Sequence, residues 1–135
     1  MLNRAIRPIY ITAQRFQSQA VQKMTRQDVK EFVDSNIAKY PVAVFSKSYC
    51  PFCHKAKSAL ESFKEKYQPG SLEWVEIEKH PDVQEIQDYL NELTGGRTVP
   101  RVFIGGKFFG GGDDTEKAWK TGELEKRLKE SGALL

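Results

Sequence analysis

The sequence predicts an α/β domain: a four-stranded mixed β-sheet with helices on both faces. Three observations predict it. Short β-branched apolar runs alternate with segments of helical period. The first two such runs are separated by a helical segment, which makes parallel strands with a right-handed crossover. The last two are separated only by Gly105-Gly106, a two-residue hairpin signal. At 135 residues, the chain has the size of one domain.

Taken in order, a helix is predicted from Thr25 to about Tyr40. Thr25 and Asp28 form a capping-box pattern, and Val29, Phe32, Val33 and Ile37 share one face. Pro41 to Phe45 reads as a buried strand. After the loop Ser46 to Tyr49, a helix is predicted from Pro51 to about Tyr67, with Phe52, Ala56, Leu60, Phe63 and Tyr67 at helical spacing and Pro69-Gly70 as its stop. Leu72 to Glu78 is the second strand. Pro81 to about Thr94 is a helix ended by Gly95-Gly96. Arg101 to Ile104 and Lys107 to Phe109 form the hairpin, and a helix from Asp113 to about Glu130 breaks at Thr121-Gly122.

The net charge of +3 is unevenly spread. Residues 1–24 hold Arg4, Arg7, Arg15 and Lys23 and no acidic side chain, whereas the remaining 111 residues carry 17 basic and 18 acidic ones. The body is therefore close to neutral and offers no nucleic-acid footprint. The sequence contains no apolar run long enough for membrane insertion. Arg7, Pro8 and Arg15 interrupt any secretory core, and the basic, acid-free composition of residues 1–24 fits a mitochondrial transit peptide, to be removed or left disordered. The folded domain is then residues 25–135, located in the matrix. A start at Met24 would give a 112-residue cytosolic form.

The chain has two cysteines, Cys50 and Cys53. Bridging so short a loop removes little chain entropy, so a structural role is disfavoured. Pro51 suits the first helical position, which puts Cys50 at the N-cap and Cys53 at the third position. Unpaired first-turn N–H groups and the helix dipole then favour a thiolate at Cys50, with Lys47 adding positive charge. Help is needed, because an ordinary cysteine of pKa about 8.5 is only about 3% thiolate at pH 7. Cys53, inside the helix, is expected to be buried and to act as the resolving thiol. Other readings of the pair are half a zinc site completed by His54 and His80, a haem attachment through Cys50-x-x-Cys53-His54, and coincidental buried cysteines. His54 itself reads as a solvent-facing helix residue without catalytic duty.

Three ordered motifs narrow the choice: Lys47-Ser48-Tyr49-Cys50-Pro51-Phe52-Cys53, Thr98-Val99-Pro100 and Gly110-Gly111-Gly112-Asp113-Asp114. With Glu85 to Leu90 preceding Arg97, they resemble the glutaredoxin family over about residues 26–132. The likeness is greatest to the dithiol branch of fungal, mitochondrially targeted type. Thioredoxins, which share the fold, carry Trp-Cys-Gly-Pro-Cys instead. The resemblance implies the thioredoxin fold and glutathione-dependent reduction of glutathione–protein mixed disulfides and of protein disulfides.

It also implies residue roles. Cys50 is the nucleophile, Cys53 the resolving thiol, and Phe52 supplies a ring where many members have Tyr. Pro100 is the cis-proline that exposes the backbone of Val99, next to Thr98, to the cysteinyl part of glutathione. Gly110 and Gly111 allow close approach of the ligand. The helix opening at Asp113 and Asp114 receives the γ-glutamyl carboxylate, with Asp113 as N-cap where Ser is usual. Lys47, Gln87 and Arg97 hold the glycyl carboxylate. Glutathione enters as reducing co-substrate, with no metal and no tightly bound cofactor. The partners implied are glutathione and glutathionylated or disulfide-containing proteins, and the expected state is a monomer. Two other functions remain open: a thioredoxin-type reductase recycled by a flavoenzyme, and a carrier of a [2Fe–2S] cluster ligated by Cys50 and glutathione, which Pro51 disfavours.

Overall fold

The computed structural model describes residues 24–135, so the transit-peptide expectation lies outside the described residues except for Met24. Five helices and four strands follow in the order α1 (Arg26–Lys39), β1 (Val42–Ser46), α2 (Pro51–Glu61), β2 (Leu72–Glu76), α3 (Val83–Thr94), β3 (Arg101–Ile104), β4 (Lys107–Gly110), α4 (Gly112–Thr121) and α5 (Glu123–Glu130). The sheet order is β2-β1-β3-β4. β1 pairs parallel with β2 and antiparallel with β3, and β3 pairs antiparallel with β4. This is the mixed four-stranded sheet that the alternation of periods predicts.

β1 explains the layering. All five of its residues are buried, and alternate side chains serve opposite faces. Val42 and Val44 join Ala56, Ala59 and Leu60 of α2, Ala118 of α4 and Leu124 and Leu128 of α5. Ala43 and Phe45 join Val29 and Val33 of α1 and Ile86 and Leu90 of α3. A strand covered on both sides has no polar face, which is why its sequence reads as a continuous apolar run. Among the described residues, no helix is long and apolar enough to cross a membrane.

Local chemistry sets most boundaries. Thr25 is the N-cap of α1: its hydroxyl accepts from the Asp28 amide at 3.0 Å, and the Asp28 carboxylate accepts from the Thr25 amide at 3.1 Å. Both partners of the capping box are thus in place. Gly105 and Gly106 turn the β3–β4 hairpin with φ of +62° and +80°, the positive values that a two-residue turn of matching twist demands. The expected break at Thr121-Gly122 separates α4 from α5.

Three boundaries differ from the sequence reading by two residues or more. α2 stops at Glu61, not near Tyr67. Beyond it the amides of Phe63, Lys64 and Lys66 bond three residues back, in turns. The C-terminal tail takes the backbone that follows: Gln68 donates to Ala133, Leu135 donates to Lys66, and Tyr67 bridges Leu134. That competition is tertiary, so helical periodicity alone could not reveal it. β2 ends at Glu76; the Ile77 amide donates to the Ser46 carbonyl at 2.9 Å as the last rung of the parallel pair. α3 begins at Val83, two residues later than expected.

Candidate active site

The site lies where the C-terminal end of β1, the first turn of α2, the segment before β3 and the start of α4 converge. Cys50 is the N-cap of α2 and Pro51 its first residue, as the Cys-Pro spacing predicts. Cys50 is partly exposed and Cys53 is buried, and both are free thiols. The Cys50 thiol donates to the Val99 carbonyl at 3.7 Å. Only 1% of Cys53 is exposed, and burial pushes its thiol up to about 11. The Lys47 amide, in the loop before α2, donates to the Cys53 sulfur at 3.4 Å. Two identical side chains three residues apart therefore differ in access, and burial disfavours ionisation of the inner one.

The Val99–Pro100 peptide is cis, as the resemblance implies. Beside it runs a groove of about 450 Å³ lined by Phe52, Thr98, Val99, Pro100, Arg101, Gly111, Gly112, Asp113 and Asp114. Seven of these nine were expected in the site. Phe52 is 48% exposed, with the Lys55 ammonium over its ring at 5.2 Å. The Thr98 hydroxyl accepts from the Arg101 guanidinium at 3.2 Å.

The start of α4 corrects one assignment. Its N-cap is Gly111, not Asp113, and the helix opens at Gly112. A Cβ on Gly112 would stand 2.4 Å from the Phe52 carbonyl oxygen, so the absent side chain allows α4 to meet the first turn of α2. With the chain held there, Asp114 occupies the third helical position and its carboxylate accepts from the Gly111 amide at 3.1 Å. Asp113 faces Lys55 instead, at 3.1 Å, and this contact raises the Lys55 ammonium above its ordinary value. The anionic charge that makes Asp113 unusual at this position thus has a cation beside it.

Lys47, Gln87 and Arg97 form a second cluster, separate from the groove lining. Gln87 is buried, and both ends of its amide are engaged. Its oxygen accepts from the Lys47 ammonium at 3.2 Å, and its nitrogen donates to the Arg97 carbonyl at 2.8 Å. The Arg97 guanidinium donates to Gln84 at 3.0 Å and to Asp88 at 3.1 Å. Gln87 is therefore a bracket that holds Lys47 and the backbone of Arg97, while the two cations border solvent.

Sequence reasoning missed three contributors. Arg101 lines the groove as the first residue of β3, where a strand reading gave it no part. Lys55 couples Phe52 to Asp113, which lies 58 residues beyond Lys55 in the chain. His54 is exposed as expected but is not idle: its Nε2 lies 2.6 Å from the Ser48 carbonyl oxygen. Pro51 opening a helix of this packed α/β core leaves the haem reading unsupported, and among the described residues no group of three His, Cys, Asp or Glu side chains is arranged for a metal ion.

Comparison with known proteins agrees with this geometry. The family model described as Glutaredoxin matches residues 42–109. Glutaredoxin-1 of Sus scrofa is 50% identical over 103 residues, spanning 76% of this chain and 95% of that protein. The crystal structure of oxidised glutaredoxin 2 from Chlamydomonas reinhardtii superposes with a TM-score of 0.75 at 48% identity, covering 82% of this chain and all of that one. A buckwheat glutaredoxin–glutathione complex gives a TM-score of 0.70 at 32% identity, over 82% of this chain and 96% of that one. With a thioredoxin fold, an N-cap cysteine beside a cis-proline, and relatives of this identity and coverage, the chain belongs to the glutaredoxin family.

Proposed function

We propose that this thiol–disulfide oxidoreductase works with glutathione, reducing glutathione–protein mixed disulfides and protein disulfides through Cys50 and Cys53. The observation that carries the reading is the asymmetry of the two thiols. Cys50 is partly exposed at a helix N-cap, 3.7 Å from the Val99 carbonyl at the edge of the groove, and Cys53 is buried beneath it. Helix N-termini stabilise thiolates, so Cys50 is the attacking sulfur. Glutathione is the co-substrate favoured by family membership and by the complex formed by the buckwheat relative.

In the mixed-disulfide reaction the Cys50 thiolate attacks the glutathione sulfur. The protein substrate leaves as a thiolate and takes up a proton, and Cys50 is left joined to glutathione. A second glutathione thiolate attacks the glutathionyl sulfur and leaves as oxidised glutathione, returning Cys50 to its thiolate. In protein-disulfide reduction Cys50 first joins one substrate sulfur as the other leaves as a thiolate and takes up a proton, and Cys53 then displaces the joined sulfur to form the Cys50–Cys53 disulfide. Two glutathiones reduce that disulfide.

The groove would hold the glutathionyl group. The Val99 backbone meets its cysteinyl part, the first turn of α4 at Gly111 to Asp114 receives the γ-glutamyl carboxylate, and Lys47 and Arg97 receive the glycyl carboxylate. Phe52, Thr98 and Pro100 form the walls, and Gln87 fixes Lys47. Arg97 already faces Asp88, so an incoming carboxylate shares that guanidinium. The alternative role, carriage of a glutathione-ligated [2Fe–2S] cluster, would give the purified protein a visible absorption that the redox reading does not require. For location, we propose that residues 1–24 direct the chain to the mitochondrial matrix and that a start at Met24 supplies a cytosolic form; the support is composition alone.

The test is glutathione-dependent turnover of a small mixed disulfide and of a protein disulfide by the wild type, Cys50→Ser and Cys53→Ser. Cys50→Ser should abolish both activities. Cys53→Ser should keep the first and lose most of the second. Loss of both in a folded Cys53→Ser protein would refute the division of labour.

A further inference from the structure

We propose that His54 is a positioning residue for the resolving thiol, acting through Ser48 and the Lys47 amide on Cys53. The proposal rests on the two-thiol reading above.

The loop before α2 carries the amide that bonds the Cys53 sulfur, and that loop is anchored on three sides. The Cys50 amide donates to the Lys47 carbonyl at 3.1 Å, closing a turn. From the first turns of α2, His54 Nε2 meets the Ser48 carbonyl oxygen at 2.6 Å. A carbonyl only accepts, so the proton of this bond sits on Nε2. From beyond β2, the Glu78 carboxylate accepts from the Ser48 hydroxyl at 2.5 Å. That bond also holds the Glu78 carboxyl below its usual range. Ser48 is thus fixed by its carbonyl to one element and by its hydroxyl to another, and the residue before it supplies the N–H to Cys53 at 3.4 Å.

A buried sulfur depends on such donors when it ionises. In the resolving step Cys53 gives up its proton and attacks the Cys50 sulfur of the mixed disulfide. The Cys50–Cys53 bond forms, the Cys50–substrate bond breaks, and the substrate sulfur leaves as a thiolate that takes up a proton. Cys53 is oxidised, Cys50 stays at the disulfide level, and the substrate sulfur is reduced. The Lys47 N–H steadies reduced Cys53 as a thiol, and more strongly as it ionises, and a sulfur drawn into the Cys50–Cys53 disulfide accepts that bond less well. Loosening the loop therefore slows this step and shifts the pair toward its disulfide.

The experiment compares wild type, Cys53→Ser, His54→Ala, His54→Gln, Glu78→Ala and the double variant His54→Ala/Cys53→Ser. Two quantities are read: the Cys50–Cys53 equilibrium in glutathione redox buffers, and the rates on a protein disulfide and on a small mixed disulfide. His54→Ala should move the equilibrium toward the disulfide at least threefold, about 14 mV more negative for a two-electron couple, and slow protein-disulfide reduction severalfold. His54→Gln, which keeps a side-chain N–H donor, should restore most of both. Glu78→Ala should give the same direction of shift from the other anchor, independently of how well His54→Ala folds. In the Cys53→Ser background His54→Ala should add nothing. An unchanged equilibrium in both His54→Ala and Glu78→Ala would overturn the proposal, as would a His54→Ala effect of equal size in the absence of Cys53. Should Cys53→Ser itself retain protein-disulfide reduction, the two-thiol reading would fall and this proposal with it, an outcome distinct from the other two.

Discussion

Cys50 and Cys53 show how far three residues of helix can separate two identical side chains, one partly exposed and one buried. Their placement was legible because it depends on local geometry, with Pro51 fixing the N-cap and the cap fixing which sulfur is inside. The ionisation of Cys53 has a consequence for stability. Its folded value of about 11 lies above the ordinary range of about 8.5–9, so between those values the unfolded thiol releases a proton that the folded one keeps. Unfolding then becomes easier as pH rises. The reduced wild type should lose stability from about pH 9 to pH 11 relative to Cys53→Ala, and below pH 9 the difference should be flat; denaturant midpoints across that range measure it. Other residues were less legible. Lys47, Gln87 and Arg97 were picked out together, but the capture of Arg97 by Gln84 and Asp88, and of Asp113 by Lys55, depends on partners that only the fold brings close. Since Lys47 and Arg97 both border solvent and charge-assisted bonds contribute roughly 1–3 kcal/mol, Lys47→Ala and Arg97→Ala should each raise the Michaelis constant for glutathione severalfold. Steady-state kinetics at saturating second substrate would show it.

At the scale of elements, the site is a meeting of helix starts. The first turn of α2 carries Cys50 and Phe52, and α4 starts against the Phe52 carbonyl with no room for a side chain at Gly112. Gly112→Ala must push the two helices apart. Overpacking of this kind costs typically about 1–3 kcal/mol, and here it should also weaken glutathione binding because the displaced turn borders the groove; thermal unfolding and the Michaelis constant are the paired measurements. The glycine run was visible in the sequence, but which glycine caps the helix was not. Capping rules favour an Asp, whereas the approach of Phe52 places residue 112 inside the helix and leaves Gly111 as the cap. The early end of α2 has the same character. Its apolar spacing continues to Tyr67, but the helix gives way to turns after Glu61, and the C-terminal tail takes the backbone of residues 66–68. Capping box, hairpin and Gly122 break, by contrast, are decided within a few residues, and the sequence reading of each holds.

At the scale of the whole molecule, two apolar layers sandwich one sheet, and β1 feeds both. Both layers, the groove and the Lys47–Gln87–Arg97 cluster lie within residues 24–135. A chain reduced to that range should therefore fold and turn over disulfides as the full chain does, and should fail to enter isolated mitochondria if residues 1–23 act as proposed. Circular dichroism, turnover and an import assay test the three parts separately. The fold class was legible throughout, because alternation of periods and a glycine hairpin restrict the topology to few arrangements. The proposed function reduces to one claim: Cys50 alone forms the bond to glutathione, and Cys53 forms a bond only to Cys50, closing the Cys50–Cys53 disulfide. The most direct measurement is the intact mass of each reduced protein after exposure to oxidised glutathione. Cys53→Ser should gain one glutathionyl group, mapped by peptide analysis to Cys50, whereas the wild type should close its disulfide and Cys50→Ser should remain unmodified. A glutathionyl group on Cys53 of the Cys50→Ser protein, or none on Cys53→Ser, would contradict the account.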